Sequence, residues 1–213
     1  MKIHKIVNTT LAFAVAMTVS LVSSVATAAT SPASITAFTG SVSTKTLQVR
    51  PKSWRDPAFG NMGWTHHSAW GSFKAGASKM VTIKVASTVP GLYPAVTVWH
   101  RGADDTAPNK YVVDHFYPQN ANTYQKGAKD EATAAQLGDI SMQVVAYGYD
   151  QDGHTARPAN LNGKVDRKPG EITLTFRTPK SGDYMFVIGG FNPAKTVNAT
   201  IKHPVTTTVN IQP

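Results

Sequence analysis

Apolar and polar residues alternate along most of this chain. Met80-Val-Thr-Ile-Lys-Val-Ala86 puts its apolar side chains at every second position, the period of a strand with one buried face. Ala95-Val-Thr-Val-Trp99 follows after the turn Val89-Pro-Gly91, and residues 139–147 and 171–176 repeat the pattern with β-branched and aromatic residues. Pro179-Lys-Ser-Gly182 is turn chemistry, and predicts a hairpin joining residues 171–176 to 183–188. Residues 197–201 and 206–211 share the same strand propensity. Only residues 122–137 predict a helix, being Ala-rich and followed by Gly138 as a stop. Short strands divided by Pro and Gly turns predict a mainly β fold: an antiparallel β-sandwich with long loops and at most one short helix.

The first residues follow another logic. Lys2, His4 and Lys5 make a basic start, residues 11–22 an apolar run, and Ala26-Thr-Ala28 a small-x-small cleavage site, which together predict a signal peptide over 1–28. The apolar run is too short to span a bilayer comfortably, and nothing downstream is longer. The expectation is an exported protein without a transmembrane anchor, secreted or held at the outer cell surface, with the periplasm as the alternative. Residues 29–46, rich in Ser, Thr and Ala, read as a flexible segment or an edge strand, and residues 47–213 as one β-rich domain. About 185 residues remain after cleavage, enough for a real core.

The sequence holds no cysteine. The fold therefore uses no disulfide despite an oxidising destination, and any metal must be held without thiolates. Without Lys2 and Lys5 the 21 basic residues fall to 19, against 12 acidic, a formal +7. These charges are scattered singly, which predicts affinity for acidic surfaces such as the outer membrane and no nucleic-acid partner.

Candidate chemistry concentrates in Phe59-Gly-Asn-Met-Gly-Trp-Thr-His-His-Ser-Ala-Trp-Gly-Ser-Phe73. If residues 62–67 are extended, Met62, Trp64 and His66 share a face about 6.6 Å apart, and His67 takes the other. Neutral imidazole suits copper, zinc, nickel and iron. His115, in the aromatic segment Tyr111-Val-Val-Asp-His-Phe-Tyr-Pro-Gln-Asn120, is the second candidate, with His154 and His100 in reserve. His100 ends a strand, where a solvated ring is the ordinary outcome; His154 and His203 read as turn residues. No histidine spacing matches a zinc signature, and no Gly-x-Ser-x-Gly elbow or phosphate loop is present. Asp150-Gln-Asp-Gly153 lacks the downstream glutamate of a calcium loop. Asp130-Glu131 reads as a solvated helix face. With no general base in view, an enzyme is not expected. The competing reading is a metal-free carbohydrate- or envelope-binding module stacking sugars on Trp54, Trp64, Trp70 and Trp99.

Gly63-Trp-Thr-His-His-Ser-Ala-Trp-Gly71, Pro90-Gly-Leu-Tyr-Pro-Ala-Val-Thr-Val-Trp99 and the segment 111–120 resemble the CorA/MopE group of exported, surface-associated copper(I)-binding proteins of methane-oxidising bacteria. The likeness covers most of residues 55–193. It implies a β-rich domain for copper acquisition or handling. One copper(I) per chain would be held by two histidines and an oxidised tryptophan, kynurenine, in a Trp-x-His arrangement. Trp64-Thr-His66 matches that pattern, and His115 is the chosen second histidine. Intact indole offers a metal no lone pair, whereas ring opening to kynurenine creates an aromatic amine and a ketone.

Overall fold

The alternating segments become strands because each has one face to bury. The computed structural model describes residues 30–32, 34–51, 55–56, 60–61, 69–113, 122–149, 163–165, 168–192 and 194–213. In the larger sheet, β2 (Ile35–Ala37) lies at one edge, followed by β6 (Ala69–Ala75), β14 (Gly182–Phe191), β8 (Tyr93–Arg101), β11 (Gln136–Tyr149) and β10 (Asn122–Lys129). β12 (Gly163–Val165) pairs with the far end of β11. The smaller sheet runs β13 (Glu171–Arg177), β7 (Met80–Ser87), β15 (His203–Gln212) and β3 (Val42–Val49). Two ribbons complete the described strands, β1 (Thr30–Pro32) on β9 (Tyr111–Val113) and β4 (Arg55–Asp56) on β5 (Gly60–Asn61).

The main core lies between the sheets. Val81, Ile83 and Val85 of β7, Ile172 and Leu174 of β13, and Val205 of β15 face Val96, Val98, Phe186 and Ile188 of the larger sheet. A fully buried side chain of this size contributes about 1.5–3 kcal/mol, so this layer is the main source of stability. Gly71 matters here for space rather than for torsion: a Cβ there would fall 2.1 Å from the Phe186 ring, its cross-strand neighbour. The larger sheet is buried on its second face too. Trp99, Val144, Met185 and Val187 pack with Tyr111, Val112 and Val113 of β9. This explains why β8 is buried at every position from Pro94 to Arg101.

The structure is a β-sandwich, as the alternation predicts, but three local expectations fail. Residues 122–137 are not helical. β10 pairs antiparallel with β11, and Asp130 closes the turn by accepting the Ala132 and Thr133 N–H groups, both at 2.9 Å. A few alanines add little helix preference, and a strand ladder that buries Ala128 outweighs it. Gly138, with φ +103°, sits at a register shift inside the ladder and stops no helix. The expected hairpin between residues 171–176 and 183–188 is absent, because β13 pairs with β7 while β14 pairs with β6 and β8. The turn carries the chain from one sheet to the other, so the apolar faces of β13 and β14 meet across the core. Thr178 anchors this crossing, donating to Gly76 C=O at 2.7 Å and accepting the Lys79 N–H at 2.8 Å. Residues 197–201 form bends in place of a strand. The sheets are not wholly antiparallel either, since β2–β6 and β11–β12 are parallel.

Candidate metal centre

Trp64, His66, His67, His115 and His154 lie outside the described residues. What the structure defines is the framework from which their segments spring. His66 stands three residues before Ala69, the first residue of β6. The register Ala69↔Ile188, Ile188↔Val96 and Val96↔Gly148 runs straight across the sheet. The start of β6 and the end of β11 therefore share one end of the sandwich. Tyr149, the last residue of β11 and five residues before His154, lies at that same end. His115 follows Val113, the last residue of β9, by two residues.

The strand roots are firmly held. Trp70, on β6, stacks on Trp99 of β8 with ring centroids 5.7 Å apart and planes at 27°. Trp99 is fully buried, which excludes it from an exposed sugar-stacking platform, and Trp70 is partly buried against it. β9 is held by Arg101, whose Nη1 donates to Tyr111 C=O at 2.7 Å and to Met185 Sδ at 3.2 Å. The same guanidinium grips Asp105 with two bonds, Nε to Oδ2 at 2.6 Å and Nη2 to Oδ1 at 2.8 Å. This ion pair is buried, with side chains 3% and 4% exposed, so its charges depend on one another. Asp105 also accepts the Ser141 N–H at 2.8 Å. The Tyr111 hydroxyl donates to Asp130 at 2.5 Å. That bond, with the turn amides, holds the Asp130 carboxyl below its ordinary range and pushes the Tyr111 phenol up. Asp130 is thus neither a paired catalytic carboxylate nor a solvated helix residue.

His100 is not the solvated strand-end ring that its position suggests. It is 3% exposed, on the core face of β8, against Tyr184 at 5.0 Å between centroids. Its Nε2 bonds the Ser181 carbonyl at 3.2 Å, while Nδ1 has no partner among the described residues. His203 begins β15 and its Nε2 bonds Asn198 C=O at 2.7 Å. Among the described residues no three His, Cys, Asp or Glu side chains gather to hold a metal. The Arg101–Asp105 pair escaped sequence reasoning. Its one signal was an arginine closing a strand of apolar residues, with aspartate four residues on.

Comparisons with known proteins bear on this framework. The family described as "Copper(I)-binding protein CorA-like" matches residues 25–198. Among solved structures, CorA of Methylomicrobium album BG8, a surface-associated copper-binding protein important in copper acquisition, is 32% identical. That likeness covers 85% of this chain and 99% of CorA, with a TM-score of 0.69. The secreted protein MopE of Methylococcus capsulatus, in which an oxidised tryptophan facilitates copper binding, shares the fold at 19% identity and a TM-score of 0.54. That match covers 83% of this chain and 86% of MopE. No curated protein matches by sequence. By the family match and by its identity to CorA, this chain belongs to the CorA-like family of copper-binding proteins.

Proposed function

We propose that this protein is exported after loss of residues 1–28 and binds one copper(I) per chain for acquisition or handling, without turnover. Its ligands are His66, His115 and Trp64, the last after oxidation to kynurenine. The observation that carries this reading is the 32% identity to CorA across 85% of the chain. The donor chemistry fits. A chain without cysteine can offer copper(I) imidazole or thioether, and copper(I) accepts few ligands, so two imidazoles and a weak third donor suffice. His100 is set aside because its register partner Tyr184 lies four residues along β14 from Ile188, the partner of Ala69, away from the sheet end where β6 begins. In support of His66 and of His154 as the alternative second imidazole, the strands nearest to them in sequence, the start of β6 and the end of β11, lie at one end of the sheet. Surface association follows the description of CorA as surface-associated, and the chain's net positive charge favours an acidic surface such as the outer membrane.

Intact mass and peptide mapping of protein from its native host test the modification. Conversion of tryptophan to kynurenine exchanges a carbon for an oxygen, a gain of about 4 Da by composition, expected on the peptide carrying Trp64. Fully copper-loaded native protein with unmodified Trp64 would remove kynurenine from the proposal and leave the histidines alone.

A further inference from the structure

β9 forms no ladder with the larger sheet. Among the described residues its one strand partner is β1, three residues long like itself. Residues 111–113 are nonetheless buried against that sheet, so side chains, not a ladder, decide where β9 lies on it. Tyr111 is pinned twice. Its hydroxyl donates to Asp130 at 2.5 Å, and its C=O accepts from Arg101 Nη1 at 2.7 Å.

Arg101 commits four of its five N–H donors: one to Tyr111 C=O, one to Met185 Sδ of β14 and two to Asp105. Asp105 in turn accepts the Ser141 N–H of β11. The guanidinium thus ties one backbone atom of β9 to three strands of the larger sheet, β8, β11 and β14. Stability does not call for such a device. Replacing a buried ion pair by apolar residues of similar volume is often neutral or stabilising, and the neighbouring Met142 and Met185 are already buried apolar side chains. What the pair supplies, and apolar residues would not, is a directed donor at the Tyr111 carbonyl.

His115 stands four residues beyond Tyr111, so at most about 14 Å of chain separates them. A set of ligands works only when each is held to within about 0.5 Å. We infer that Arg101, held by Asp105, is a positioning residue for the copper site: by fixing β9 on the larger sheet it fixes the origin of the segment that carries His115. The inference rests on the proposed role of His115 as a ligand.

The test is competition titration with a copper(I)-specific chelator on mature protein from the native host. The variants are Arg101→Met with Asp105→Leu, and Arg101→Lys, each alone and combined with His115→Ala. The lysine keeps a positive charge beside Asp105 but lacks the planar fork that reaches Asp105 and Tyr111 together. Melting curves show which variants fold. Each clamp variant is expected to lower copper affinity at least about tenfold, about 1.4 kcal/mol, and to lower it no further once His115 is already alanine. A fault in the fold would weaken binding in both backgrounds. Wild-type affinity in a folded clamp variant, with His115→Ala weakened, would overturn the inference and leave the copper reading standing. An undiminished further loss in the His115→Ala background would overturn it as well. Wild-type affinity in His115→Ala itself would overturn both.

Discussion

Asp130 accepts the Tyr111 hydroxyl and two turn amides, and its carboxyl is held below the ordinary value. A carboxylate with a depressed native pKa contributes stability above its unfolded value, about 3.9, and loses it as pH falls through the native one. Denaturation midpoints of the wild type should therefore drop below about pH 4. Asp130→Asn should be less stable at neutral pH and show a shallower acid decline. Parallel acid branches would show that the carboxylate is not responsible. The Arg101–Asp105 pair makes a sharper case because both groups are buried. Asp105→Ala leaves an uncompensated guanidinium and should cost about 3–5 kcal/mol in denaturant unfolding, while Arg101→Met with Asp105→Leu should recover much of it. Neither network was readable beforehand. The Tyr111–Asp130 bond joins residues 19 apart in sequence, and nothing local marks one tyrosine as the partner of one aspartate.

Among the elements, the strands with a clear apolar pattern were the legible ones: β7 and β13 stand where apolar residues alternate, and β8, β11 and β14 where β-branched and aromatic residues are dense. Pairing was not legible, because it is decided between segments. Pro179-Lys-Ser-Gly182 has the residues of a tight turn whether the next strand returns beside its predecessor or crosses to the facing sheet. Here the crossing wins, since it lets Ile172 and Leu174 meet Phe186 and Ile188 in one core. β10 misled for a related reason: its polar residues carry no pattern, the alanines that suggested a helix lie mostly in the turn after it, and its strand state comes from β11 beside it. The Gly71–Phe186 contact gives a test at this scale. Gly71→Ala must push the Phe186 ring from the centre of the sandwich, and should cost about 1–3 kcal/mol. A variant of wild-type stability would mean that the sheet gives way more easily than its packing implies.

For the whole molecule, the strands nearest in sequence to His66 and His154 share one sheet end, and the anchored strand β9 ends two residues before His115. The motif Trp64-Thr-His66 and the resemblance to the family were visible in the sequence. No short spacing singles out a second imidazole to go with it. Imidazole binds metal only when neutral, so copper affinity should fall as pH drops below about 6, near its unperturbed pKa of about 6.5. A titration flat from pH 7.5 to 5 would assign the copper to other donors. The most direct measurement is a competition titration with a copper(I)-specific chromogenic chelator, at pH 7.5, on mature protein from the native host, comparing wild type with His66→Ala, His115→Ala and His100→Ala, each shown to be folded. Copper bound once per chain, with affinity lowered about a hundredfold or more in His66→Ala and in His115→Ala but unchanged in His100→Ala, is the predicted result, each lost ligand costing about 2.7 kcal/mol or more. Wild-type affinity in either His66→Ala or His115→Ala, or an equal loss in His100→Ala, would contradict it.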